Sequence, residues 1–107
     1  MENLKVVYVA IGALKPTACN PRRWSPDQLA ALKESITRFG VVDPIIVNGS
    51  SARMNVVIGG HMRLAAVKEL GHAEAPVVYL QISDVEKEKE LNLRLNKNTG
   101  EFDLKLL

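Results

Sequence analysis

Two basic side chains follow a pair of glycines in the stretch Val57-Ile58-Gly59-Gly60-His61-Met62-Arg63-Leu64-Ala65-Ala66-Val67. An apolar run enters the glycines, and a small-residue helical pattern leaves them. The order reads as strand, tight turn, helix N-terminus. Gly59 and Gly60 allow backbone angles that side chains forbid, and they let a ligand come close to the main chain. The first turn of the following helix carries N–H groups without intrahelical partners, at the positive end of the helix dipole. His61 and Arg63 add positive charge where the dipole disfavours it. That combination suits an anion such as a phosphate, and His61 is the acid–base residue of the stretch. A plain strand-to-helix turn with two solvated polar residues fits the same letters, because short glycine motifs recur widely. Both readings stay open at this level.

Other residues offer chemistry more weakly. Arg22 and Arg23 follow Pro21 on a loop. They form either a solvated pair or an anion clamp, since the guanidinium fork suits phosphate. Asn96-Lys97-Asn98-Thr99-Gly100 reads as a polar helix stop, made of cap residues or of amides facing a metal-bound phosphate. Asp43 and Asp103 are the loop acids near these motifs, too few to read as a two-metal cluster. His72 follows Gly71 and reads as a solvated loop residue. Cys19 is the single cysteine and lacks a CxxC partner, so it reads as inert.

The elements that must position these groups follow from periodicity. Lys5 to Ile11 is rich in β-formers and predicts a strand. Leu14 to Pro21 is a loop broken by prolines. Ser25 and Gln28 have capping-box spacing around Pro26, predicting a helix whose buried stripe is Leu29, Leu32, Ile36 and Phe39, ended by a left-handed Gly40. Ile45 to Asn48 and Met54 to Ile58 predict a hairpin that delivers the chain into Gly59-Gly60. The next helix runs to about Leu70, with Gly71 as its cap. Pro76 to Ile82 reads as a buried strand. Ser83 and Glu86 have capping-box spacing for a third helix. Its run Asp84, Glu86, Lys87, Glu88, Lys89, Glu90 reads as a solvated face, with Leu91, Leu93 and Leu95 as its apolar contribution. Asp103 caps a further turn through Leu107 that is too short to stand alone.

Composition sets outer bounds. The chain has 107 residues, 47% hydrophobic and 24% charged, which fits one globular domain over 1–107 with an aliphatic core. A net charge of +2 is too small to argue for nucleic acid by itself. With one cysteine, no internal disulfide or cysteine-based zinc spacing is available, and no signal pattern or long apolar run is present. The expectation is a cytoplasmic protein without a membrane partner.

In order, Asn20-Pro21-Arg22-Arg23, a capped helix ending at Gly40, Asp43-Pro44-Ile45-Ile46-Val47, Gly59-Gly60-His61-Met62-Arg63-Leu64-Ala65-Ala66, Val77-Val78 and Leu95 to Asp103 resemble the ParB N-terminal domain of the ParB/sulfiredoxin superfamily. The resemblance runs from about Ile11 to Leu107. It is nearest to ParB-like domains of phages and mobile elements, many of which precede a DNA methyltransferase domain. It implies an α+β fold, a small mixed sheet of four strands with three main helices. It also implies that this chain is the N-terminal part of a longer protein.

In that family the glycine–arginine turn binds nucleotide phosphates. Gly60 and Arg63 match its glycine and second arginine, with Gly59 and His61 in the same turn. Arg22 matches the loop arginine that faces the nucleotide, with Arg23 beside it. Asn96 matches the helix-end asparagine that helps hold Mg2+, whereas the arginine expected three residues later is Thr99. The implied ligand is a nucleoside triphosphate, CTP or ATP, with Mg2+. His61 and Met62 replace the glutamate and arginine of chromosome-partitioning proteins, which counts against a CTP-hydrolysing clamp. Sulfiredoxins place their reactive cysteine where His61 stands, which counts against sulfinic-acid repair. The helix-turn-helix DNA reader is absent from this sequence, so sequence-specific DNA binding is not assigned to it, and DNA is an expected partner through the parent protein. Three functions follow as expectations: a nucleotide-binding module of a DNA-associated protein; a ParB-like nuclease or nucleotide hydrolase, with His61 as the catalytic residue; or an interaction domain docking a DNA methyltransferase through Leu104 to Leu107.

Overall fold

The computed structural model describes residues 5–16 and 25–98, with the side chains of 96–98 excepted. Strand β1 (Val6–Ala10) is followed by a 3-10 turn at Ile11–Ala13. Helix α1 (Pro26–Phe39) starts as its sequence requires. The Ser25 hydroxyl accepts from the Gln28 amide at 3.1 Å, and the Gln28 side chain accepts from the Ser25 amide at 2.9 Å. Strands β2 (Ile45–Asn48) and β3 (Val57–Gly59) form the hairpin, helix α2 (His61–Glu69) follows, then strand β4 (Glu74–Leu80) and helix α3 (Val85–Asn98).

The sheet order is β1-β4-β2-β3. β4 runs antiparallel to β1 and parallel to β2, and β2 runs antiparallel to β3, so the sheet is mixed. Ile45, Val47, Val57, Ala75 and Val77 join Ile36 of α1 and Leu64, Ala66 and Val67 of α2 in one buried cluster. Lys33 of α1 and Glu69 of α2 pair at 3.0 Å above it. α3 packs against β3. The four-stranded mixed sheet with three helices is the α+β arrangement expected.

Several local expectations need correction. Phe39 is 69% exposed and not part of the buried stripe. At 100° per residue it sits about 50° off the centre of Leu29, Leu32 and Ile36, and the Arg38 guanidinium lies over its ring at 5.5 Å. Gly40 has φ +82° but ψ 179°, so it ends α1 in an extended, glycine-only conformation rather than a left-handed one. β3 begins at Val57 rather than Met54. A 3-10 turn at Ser51–Arg53 and Asn55 at φ +70° use up the preceding residues. The Tyr79 hydroxyl donates to Asn55 Oδ1 at 2.8 Å and holds that turn.

β4 covers Glu74–Leu80 rather than Pro76 to Ile82. β1 pairs as far back as Glu74, while the Asn48 side chain takes both main-chain groups of Ile82 and draws the chain out of the sheet. α3 is capped by Asp84, whose Oδ1 accepts from the Glu86 amide at 2.9 Å, and not by Ser83. The helix also continues through Asn98 instead of stopping at Asn96.

The largest departure is Glu88. The alternating charges of α3 were expected in solvent, yet Glu88 is 1% exposed. Arg53 holds its carboxylate with two bonds, Nε to Oε1 at 3.0 Å and Nη2 to Oε2 at 2.8 Å. Asn48 Nδ2 adds a third to Oε1 at 2.8 Å. Leu91 and Leu93 stand 200° apart on a helix and cannot share a face. Leu93 is accordingly 58% exposed, while Glu88 and Asn92 turn inward.

Removing a fully buried, hydrogen-bonded carboxylate takes away the acceptor of two Arg53 bonds and one Asn48 bond. Glu88→Ala should therefore cost about 3 kcal/mol, against less than about 0.5 kcal/mol for Glu90→Ala on the same helix. Urea unfolding of the two variants checks this; equal small losses would place Glu88 in solvent after all.

Candidate functional site

The hairpin register shifts between Val47↔Val57 and Ile46↔Gly59, which leaves Ile58 as an extra residue on β3. A bulge of this kind re-aims the residues after it. It sets Gly59 opposite Ile46, against α3. A Cβ built on Gly59 would lie 2.7 Å from Leu95 Cδ1 and 3.5 Å from Ile46 Cγ1, so the Leu95 side chain of α3 packs directly over the bare main chain here. Asn92 Nδ2 donates to the Ile58 carbonyl at 2.7 Å and fixes the same point of the turn.

Gly60 is the N-cap of α2 at φ +93°, ψ 27°. That left-handed angle strains any other residue. A Cβ there would also sit 2.7 Å from Arg63 Nη1 and 3.3 Å from Ile45 Cα. Its carbonyl accepts the first intrahelical bond, from the Leu64 amide at 2.9 Å. α2 has no side-chain cap hydrogen bond from Gly60 and no acid in its own first turn to offset the positive end of its dipole.

Arg63 lies back over this turn. Its Nη1 donates to the Pro44 carbonyl at 3.4 Å, and its Nη2 stands 3.7 Å from Asp43 Oδ2. Asp43, Pro44, Ile46, Gly59, Gly60, Arg63 and Leu95 line a cavity of about 290 Å³. Of the residues singled out in the sequence, the structure brings Gly59, Gly60 and Arg63 together on this cavity, and Asp43 with them.

His61 is placed differently. It occupies the first position of α2 but is 8% exposed and does not line the cavity. Burial pushes its imidazole below the ordinary value of 6.5, so it is neutral at pH 7 and Arg63 alone brings positive charge to the first turn. Asn96 falls within α3, one turn beyond Asn92, and its side chain lies outside the described residues. Arg22, Arg23, Cys19, Thr99, Asp103 and Leu104 to Leu107 also lie outside them, as does the expected meeting of the Asn20–Arg23 loop with the glycine turn. Sequence reasoning missed Asn92, Leu95 and the Asn48–Glu88–Arg53 group. The available signal was Glu88 and Asn92 at i, i+4 spacing, flanked by Leu91 and Leu95 on the same side.

A depressed histidine has a definite consequence for stability. The unfolded chain protonates His61 near its ordinary value, and the folded chain does so only at lower pH. His61 therefore leaves stability intact above about pH 6.5 and erodes it as pH falls from there through the lowered folded value. Glu88, held down mainly by its Arg53 hydrogen bonds, acts only at lower pH. Its contribution is full above its ordinary 4.5 and is lost as pH falls through its own depressed value. Urea midpoints between pH 7.5 and 5 should fall for the wild type and stay flatter for His61→Gln. Parallel curves would show the imidazole to be solvated.

Comparison with known proteins agrees with this architecture. The model of the ParB N-terminal domain matches residues 1–99. The ParB-like nuclease domain-containing protein YnaK of Escherichia coli is 35% identical over 89 residues, 82% of this chain and 98% of YnaK. The probable chromosome-partitioning protein ParB of Helicobacter pylori is 32% identical over 101 residues, 94% of this chain but only 33% of that protein. Among solved structures, truncated ParB from Caulobacter crescentus complexed with CTP-gamma-S superposes with a TM-score of 0.73 at 24% identity, over 86% of this chain and 52% of that one. Sulfiredoxin from Arabidopsis thaliana does so with a TM-score of 0.69 at 19% identity, over 85% and 99%. At those identities the two structures speak for a shared fold. No helix among the described residues is long and apolar enough to cross a membrane. By the extent of the family match and by its likeness to YnaK, the chain belongs to the ParB N-terminal domain family.

Proposed function

We propose that this chain is a nucleotide-binding ParB-like domain of a DNA-associated protein, with the triphosphate seated at the Gly59–Arg63 turn. One observation carries the reading. Gly60, at a left-handed angle, brings the N-terminus of α2 and the Arg63 guanidinium to one cavity. Main-chain amides and a guanidinium are the two donor types best suited to phosphate oxygens. The CTP-gamma-S held by the similarly folded Caulobacter protein supports CTP as the nucleotide to try first.

In this reading the amides of the first α2 turn hold a phosphate, and Arg63 neutralises it from the side. Arg22 and Arg23 would add charge from their loop. Buried, neutral His61 keeps the N-terminus of α2 packed and is the residue to test for a catalytic part. A magnesium ion would neutralise charge on the phosphates. The residues present fit it, because Mg2+ is bound through one or two carboxylates plus phosphates rather than by a protein cage. Asp43 supplies a carboxylate on the cavity, and Asn96 follows Leu95 on α3.

The name of YnaK favours a second reading, a nuclease. Two-metal cleavage needs clustered acidic ligands. Among the described residues no group of three or more His, Cys, Asp or Glu stands together, which favours binding over cleavage here. DNA association would come from the parent protein.

Calorimetric titration with CTP, ATP and GTP, with and without Mg2+, tests the proposal. One nucleotide should bind, and Arg63→Ala should weaken it at least about tenfold with an unchanged melting curve. Full affinity in Arg63→Ala would contradict a phosphate site at this turn.

A further inference from the structure

The two edges of the sheet are built differently. β3, at one edge, has three residues, carries the bulge at Ile58 and is buried throughout, with α3 packed against it. β1, at the other edge, has five residues in unbroken register with β4 and is exposed along its length except at Val9. Val6 is 52% exposed and Tyr8 67%. Proteins guard such an edge with a lysine, a proline, a bulge or a covering element. Between Val6 and Ala10, β1 carries no lysine, proline or bulge, and among the described residues its strand partner is β4 alone.

The main-chain groups on the open edge can be assigned. The Ile11 amide donates to the Ala73 carbonyl at 3.0 Å, one step beyond the Ala10↔Glu74 pair. Alternation along an antiparallel ladder then gives the main-chain groups of Val7 and Val9 to β4 and turns those of Val6, Tyr8 and Ala10 outward. Pro76 stands opposite Tyr8, where the ladder needs no N–H from β4. A second β1 laid antiparallel, with the two-fold axis at Tyr8, meets every outward group. Tyr8 then pairs with its own counterpart, and Val6 of each copy pairs with Ala10 of the other. On the opposite face Val7 of each copy meets Val9 of the other. Lys5 falls outside the paired segment at both ends, so no charge faces a like charge.

We infer that β1 is the docking edge for a second copy of this chain, the two joined by antiparallel pairing of Val6–Ala10 into one continuous sheet. The strand is self-complementary in that register: donors meet acceptors, an aromatic ring meets its counterpart, and the segment is free of charge. The net charge of +2 per chain opposes association only weakly. Five residues a side are few beside the roughly 20–30 of a stable interface, so the dimer is reversible and fills as concentration rises. The glycine turn follows β3 at the far edge of the sheet, so both copies keep their cavities open at the outer ends. The inference does not depend on what those cavities bind.

The test is sedimentation equilibrium of the whole chain, carried to about 1 mM because so small an interface binds weakly, with Tyr8→Lys and Tyr8→Phe beside the wild type. The wild type should move from monomer toward dimer as concentration rises. Tyr8→Lys sets two charges face to face and should raise the dimer Kd at least about tenfold, whereas Tyr8→Phe keeps the ring and should stay near the wild type. Tyr8 is exposed, so both variants should melt as the wild type does. Amide exchange of the wild type reads the register. The Val6, Tyr8 and Ala10 amides should slow as the dimer forms, while those of Val7 and Val9, already bonded to β4, change little. A wild type that stays monomeric at every concentration would overturn the inference. Dimerisation undiminished in Tyr8→Lys, or with the three outward amides unchanged, would put the contact on another surface and overturn it as well.

Discussion

A buried carboxylate with three hydrogen bonds sets the positions of the other parts. Glu88 on α3 is gripped by Arg53 from the turn between β2 and β3 and by Asn48 at the end of β2. Such a charge is tolerable inside a protein only when its partners are fixed. Asn48 meets that condition by being satisfied on both sides. Its Nδ2 donates to Ile82 and Glu88, and its Oδ1 accepts from Ser50 and Ile82. One side chain thus joins the end of β2, the exit of β4 and the first turn of α3. Asn92, one turn further along α3, then takes the Ile58 carbonyl, and Leu95 closes over Gly59. The polar group at one end of α3 therefore decides where its other end meets the glycine turn.

That turn shows how local backbone chemistry becomes a site. The bulge in β3 changes the face on which Gly59 lies, and the two glycines accept close packing on one side and a left-handed angle on the other. α2 then starts with Gly60 and Arg63 lining a cavity and His61 buried. Burial keeps His61 neutral, and among the described residues that line the cavity Arg63 is the cation and Asp43 the carboxylate beside it.

Much of this was legible in the sequence. The Ser25–Gln28 cap, the hairpin and the strand–Gly-Gly–helix order all rest on local rules, so residue types and spacing sufficed to find them. Gly60 and Arg63 stand out for the same reason, since a glycine cap and a charge three residues later are local features. What escaped was non-local. Glu88 sits in a run of charges that reads as solvated, and only the return of Arg53 and Asn48 from about 35 to 40 residues earlier makes its burial acceptable. The end of β4 is not legible locally, because Asn48 pulls Ile82 away. Neither is the exposure of Phe39, because helical spacing does not say how wide the covered stripe is.

The most direct check on the central claim, that the N-terminus of α2 and Arg63 form the ligand site, is amide chemical-shift mapping of the isotope-labelled domain during titration with CTP and Mg2+. The account predicts the largest changes at the amides of Gly60, His61, Met62 and Arg63, with smaller ones at Asp43 and Leu95 around the same cavity. Saturable changes clustered elsewhere, with the Gly60–Arg63 amides unmoved, would contradict it.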